Sequence, residues 1–178
     1  AMVKRDIVPA LRAALDKVAK SDANGDGDGD TATNDLVGAC LIALARIGHE
    51  VPRSPLADTF AGYLRHPNQA VRETAALALG MAGVDGPRER DLLVQLVRGD
   101  MALGPVVGEG PSVRTRAFAT YGLGLLVSQN TRLATQRTVF QTAQWILRQE
   151  PRDVDLQVAA VHALSLLHLP DEDKAAAT

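Results

Sequence analysis

The chain has 178 residues, the length of one domain or a short repeat array, and is 46% hydrophobic but only 3% aromatic. Its core must be built from Ala, Leu and Val, which favours closely packed helices over sheets. Nineteen basic and 21 acidic residues give a formal net charge of −2, so there is no global positive field for nucleic acid; no run of about 18 apolar residues is present, so no membrane span is expected.

The opening AMVKRDIVPALRAALDK reads as an amphipathic helix and not as a signal peptide. Ile7, Val8, Leu11, Leu15 and Val18 form its apolar stripe, and a partner helix, NDLVGACLIALARIG, starts near Asn34. Cys40 lies within that run and reads as a small buried hydrophobe. Together these make a first hairpin over residues 3–49. In the second, 54–83, Ser54 caps, Pro55 takes the first turn, and Leu56, Phe60, Tyr63 and Leu64 share a face; Asn68 caps the partner NQAVRETAALALGMAG.

A third hairpin, 87–128, begins at Pro87, carries Leu92, Leu93, Leu96 and Val97, and resumes at Ser112 as SVRTRAFATYGLGLL. The fourth, 131–169, begins near Thr131 and carries Phe140, Ile146 and Leu147, with Trp145 on the face of Phe140 and read as core. It turns at Glu150-Pro151-Arg152, and Asp153 caps RDVDLQVAAVHALSLL; residues 170–178 form a polar tail.

The second helices of the hairpins align on Leu36, Val71, Val113 and Val154, spaced 35, 42 and 41 residues apart. A period near 40 in an alanine-rich helical chain is the signature of a two-helix repeat. With Val71-Arg72, Ala75-Ala76 and Leu79-Gly80, and again Val113-Arg114 and Gly122, the pattern resembles the HEAT-repeat (armadillo-like) family over essentially the whole chain. The first and fourth hairpins depart from it, having Val37 and Asp155 after the anchor. The resemblance implies an all-α, right-handed superhelical solenoid of about four hairpins, with first helices on the convex side and second helices on the concave side. It also implies a non-catalytic scaffold whose partner is a protein or peptide. The alternative within this architecture is a purely structural spacer.

The last helix is apolar around nearly its whole circumference, from Val154 to Leu169. Terminal repeats normally present a polar outer face. This end is therefore expected to meet a further repeat of a larger protein, the preferred explanation, or to dock on a partner or in homo-association with another copy.

Two turns within hairpins are expanded. In the first, Asn24, Asp26, Asp28, Gly29, Asp30, Ala32 and Asp35 stand at positions 1, 3, 5, 6, 7, 9 and 12 of a twelve-residue loop. Alternating oxygen donors with glycine at the sharp turn is the arrangement that surrounds calcium with six to eight oxygens. The loop resembles those of EF-hands and, with Asp35-Leu36 at its end, dockerin modules; that resemblance implies calcium as the one cofactor. The other reading is a polar Gly-Asp connector. In the third hairpin, GDMALGPVVGEGP carries the apolar residues Met101, Leu103, Val106 and Val107. They either fold back as an Ω-loop or bind a partner. Both turns should emerge on one edge, about 20 Å apart.

Arg72, Arg114 and Arg116 start successive second helices. They would either form a basic strip for an acidic peptide or tie adjacent repeats through acidic and carbonyl acceptors. His49-Glu50 resembles one of the several His-Glu pairs of HEAT-like deoxyhypusine hydroxylases, so the alternative function is a metal-dependent enzyme. His66, His162 and His168 have no ligand neighbour at helical spacing, and His162 aligns with Leu44, Leu79 and Tyr121 as a core or groove residue. Motifs for serine nucleophiles, nucleotide loops and paired-cysteine zinc sites do not occur, so no catalytic residue is assigned.

Overall fold

The computed structural model describes residues 2–23, 31–47, 53–100, 110–129 and 131–168, and these are all-α. A π-helical turn, Val3–Ile7, leads into eight α-helices: α1 Val8–Ala23, α2 Thr31–Arg46, α3 Arg53–Tyr63, α4 Gln69–Met81, α5 Pro87–Arg98, α6 Val113–Ser128, α7 Leu133–Gln149 and α8 Val154–Ser165. Among the described residues there is no strand, and no helix is long and apolar enough to cross a membrane.

Local chemistry explains several of the helix ends. Asn68 accepts from the Val71 amide at 3.3 Å and Ser112 from the Thr115 amide at 3.2 Å, each satisfying an amide that the first turn leaves open. Pro87 occupies the first turn of α5 behind Gly86, and Gly99 ends that helix in the left-handed region at φ 80°. Other ends differ from expectation. α2 starts at Thr31, three residues before Asn34, which is itself buried within the helix. α3 already includes Ser54, and Asp153 makes no side-chain cap for α8.

The even-numbered helices form one layer: α2 packs on α4, α4 on α6 and α6 on α8. Each odd helix packs on the even helix after it, and α3, α5 and α7 follow one another in contact. A buried i, i+3, i+4, i+7 pattern drives the even layer: Val37, Cys40, Leu41, Leu44 in α2; Ala119, Gly122, Leu123, Leu126 in α6; Leu156, Ala159, Ala160, Ala163 in α8. In α4, Ala75, Ala78 and Leu79 hold the same places.

The aligned anchors Leu36, Val71, Val113 and Val154 do not share one environment, because only Val71 is buried and the other three are exposed. Neighbouring helical positions differ by about 100° in direction, so apolar residues side by side in sequence fall on different faces. The stripe in α7 is corrected for the same reason. Val139, Thr142, Ala143 and Ile146 are buried, whereas Phe140 and Leu147 are exposed on another face. Ile7 is likewise exposed beside buried Val8.

Small residues set the spacing of the even layer. A β-carbon on Gly80 would collide with the Gly122 carbonyl, one on Gly122 with the Ala76 carbonyl, and one on Gly124 would lie 3.0 Å from the Ala163 α-carbon. Among the described residues Phe60 is the largest side chain that is fully buried.

Candidate binding surface

Two of the three arginines at the starts of α4 and α6 are turned inward. Arg72 donates through Nη1 to the carbonyls of His66 and Pro67, both at 2.7 Å, binding the α3–α4 turn to its own helix. Burial pushes its guanidinium below the ordinary pKa, with the neighbouring Glu73 carboxylate opposing that shift. Arg116 donates through Nε to the Val97 carbonyl at 2.7 Å and pairs through Nη2 with Glu150, joining the ends of α5 and α7 to α6.

Arg114 is different. Its Nε reaches Glu73 Oε2 at 3.1 Å across the α4–α6 contact, and its guanidinium lies 5.5 Å from the Phe118 ring centroid. The Glu73 side chain is 3% exposed and that of Arg114 is 67% exposed, so only Arg114 of the three offers its charge outward. Gln69 donates to the other Glu73 oxygen at 2.7 Å.

An open groove of about 630 Å³ runs between α2 and the start of α4. Gly38, Ala39, Ala43 and Ala70 line it because they carry little or no side chain, and Asp35 and Arg46 stand at opposite ends of the α2 side. A β-carbon on Gly38 would be in ordinary contact with Thr74 Oγ1 at 3.8 Å, so the groove has room beside that glycine. The sequence reading missed it, since small residues in a helix read as helix formers or core.

Of the acidic segment 24–35, Asp35 is exposed in the first turns of α2, while Asn24, Asp26, Asp28 and Asp30 lie outside the described residues. So do Met101, Leu103, Val106 and Val107, and His49 and Glu50. His66 Nδ1 accepts from the Asn68 amide at 3.1 Å, His168 Nε2 lies 3.3 Å from the Ser128 carbonyl, and His162 is exposed with its ring 5.4 Å from that of Tyr121. His162 therefore lies on the surface beside the half-buried Tyr121 and not in a core column. Among the described residues no group of three His, Cys, Asp or Glu is arranged to hold a metal.

A buried cluster also escaped the sequence. Asp85, in the α4–α5 turn, accepts from Thr135 Oγ1 with both oxygens at 2.8 Å and pairs with Arg90, while Arg132 donates to its carbonyl at 3.1 Å. It fastens this turn to the start of α7. Family models, curated proteins and solved structures give no match to this chain.

Proposed function

We propose that the chain is a HEAT-like α-solenoid that serves as a non-catalytic protein-binding scaffold, taking a peptide segment of its partner along the even-helix face. The observation that carries this reading is the unbroken succession of even helices, α2 on α4 on α6 on α8, with the odd helices behind them. A repeated two-helix unit of this kind buries its core between neighbours and leaves an extended face for a ligand. Arg72 and Arg116 are used to fasten turns and helix ends, which leaves the α2–α4 groove and Arg114 as the recognition surface. A peptide with a basic group towards Asp35 and an acidic group towards Arg46 matches the charges of the groove.

Peptides selected from a random library on the intact chain test the reading. Those it enriches should lose binding when Gly38→Leu fills the groove or Arg46→Glu reverses its charge, with melting temperatures held. Absence of enrichment, or indifference to both substitutions, would sink it. Calcium at residues 24–35 is a separable part of the proposal, adding stability to the first hairpin. Titration calorimetry at millimolar calcium should give heat and a higher melting temperature, and a silent titration removes that part alone.

A further inference from the structure

We propose that the outer face of the α7–α8 hairpin is a self-complementary interface that pairs with a second copy of this chain. Val154, Val158 and Val161 are 67%, 54% and 58% exposed and lie along one side of α8, opposite the buried Leu156, Ala160 and Ala163. On α7, Leu133, Phe140 and Leu147 are 62%, 49% and 38% exposed and recur every seven residues, so they too share one side. Trp145, on a different side of α7, is covered by Arg98 of α5 at 5.7 Å. Both stripes thus face away from the other described helices.

Six large apolar side chains exposed on one hairpin are a cluster and not the singly scattered surface hydrophobics of ordinary monomers. Stable interfaces bury about 1,200–2,000 Å² in total, so the pairing has to engage both stripes of both copies.

The polar residues beside the valines select a second copy as the occupant. Asp155 and His162 are exposed and seven residues apart, two turns along the same flank of α8. In an antiparallel pairing of α8 with its equivalent, about a two-fold axis beside Val158, residues equally far from Val158 in opposite directions face each other. Asp155 lies three residues before Val158 and His162 four after, so each Asp155 stands across from His162 of the second copy. The symmetry supplies this contact twice, as an isologous interface must.

The same axis suits α7. Val158 lies about one and a half turns beyond the Glu150–Asp153 turn, and the same distance back along α7 falls between Phe140 and Leu147. Phe140 of each copy is therefore set against Leu147 of the other. A further hairpin or an amphipathic peptide would also cover the valines. Neither accounts for an acid and a base bracketing them at symmetric positions.

Sedimentation equilibrium of the full chain, from about 1 to 200 µM, tests the proposal. A monomer–dimer equilibrium is expected, and Val158→Lys should leave a monomer with unchanged helicity and melting temperature. Asp155→Lys and His162→Glu should each weaken the dimer at least about tenfold, and the double variant should recover most of that loss by exchanging the partners. A monomer at every concentration, open-ended oligomers, a dimer indifferent to Val158→Lys, or a double variant no tighter than His162→Glu alone would each overturn it. So would a monomer whose Val158 face takes up an added amphipathic peptide, since that gives the face to another occupant.

Discussion

The carbonyl oxygen of Gly122 occupies the place that a β-carbon on Gly80 would need, so α4 and α6 meet backbone to backbone. Because the obstacle is main chain, a larger residue there moves a helix and not a rotamer. Gly80→Ala and Gly122→Ala should each cost about 1–3 kcal/mol despite the better helix propensity of alanine. Gly38→Ala is the control. Its β-carbon would have Thr74 Oγ1 at 3.8 Å, so stability should hold or rise by up to about 1 kcal/mol. Urea denaturation of the three variants checks the contrast, and equal effects at Gly38 and Gly122 would refute the close crossing.

The Asp85 carboxylate should be the most sensitive acidic position among the described residues. It is buried and is held by Thr135 and Arg90, whose side chain is only 13% exposed. Removing it strands a guanidinium and a hydroxyl at once. Asp85→Ala is expected to cost about 3–5 kcal/mol, and Thr135→Val, which removes one donor of the same shape, about 1 kcal/mol. Chemical denaturation should show that order with little dependence on salt, because the pair is screened from solvent.

Much of this was legible in the sequence where the cause is local. Asn68, Ser112 and Pro87 announce helix starts through chemistry that reaches only three residues. The face each helix buries was harder to read. Leu36 beside Val37, and Phe140 beside Val139, are equally apolar, and the neighbouring layer decides which of the two turns inward. Arg114 could be expected to seek an acid, but its choice of Glu73, 41 residues earlier, follows from the α4–α6 register. Asp85 was invisible because Val-Asp-Gly-Pro reads as an ordinary turn and Thr135 is 50 residues away. The groove was invisible because it consists of side chains that are missing from Gly38, Ala39 and Ala43.

The Glu73–Arg114 pair joins a buried acid to an exposed base, and its two halves should differ in cost. Arg114→Ala removes a solvent-exposed partner and is expected to cost less than about 1 kcal/mol. Glu73→Ala also vacates a buried position and leaves Gln69 without its acceptor, so about 2 kcal/mol is expected. A double-mutant cycle should return a coupling below about 1 kcal/mol that shrinks with added salt. A larger, salt-insensitive coupling would mean that Arg114 is buried in solution and so unable to meet a partner.

Cys40 supplies a further test of the even layer. It is buried in α2, and burial raises its thiol pKa above the ordinary value because the thiolate is poorly solvated there. Only the thiolate reacts with a disulfide reagent, so labelling of the folded chain at about pH 8 should be at least tenfold slower than in denaturant. The sign of the linkage follows from the same shift. A group whose folded pKa is raised adds stability that is full below the unfolded pKa and is lost as pH climbs through the folded one. The contribution from Cys40 should therefore fade only in the alkaline range, and a Cys40→Ser variant, destabilised at neutral pH, should lose less over that climb. Rapid labelling at neutral pH without denaturant would show that α2 opens from α4 readily, and the close-packed even layer would have to be abandoned at that end.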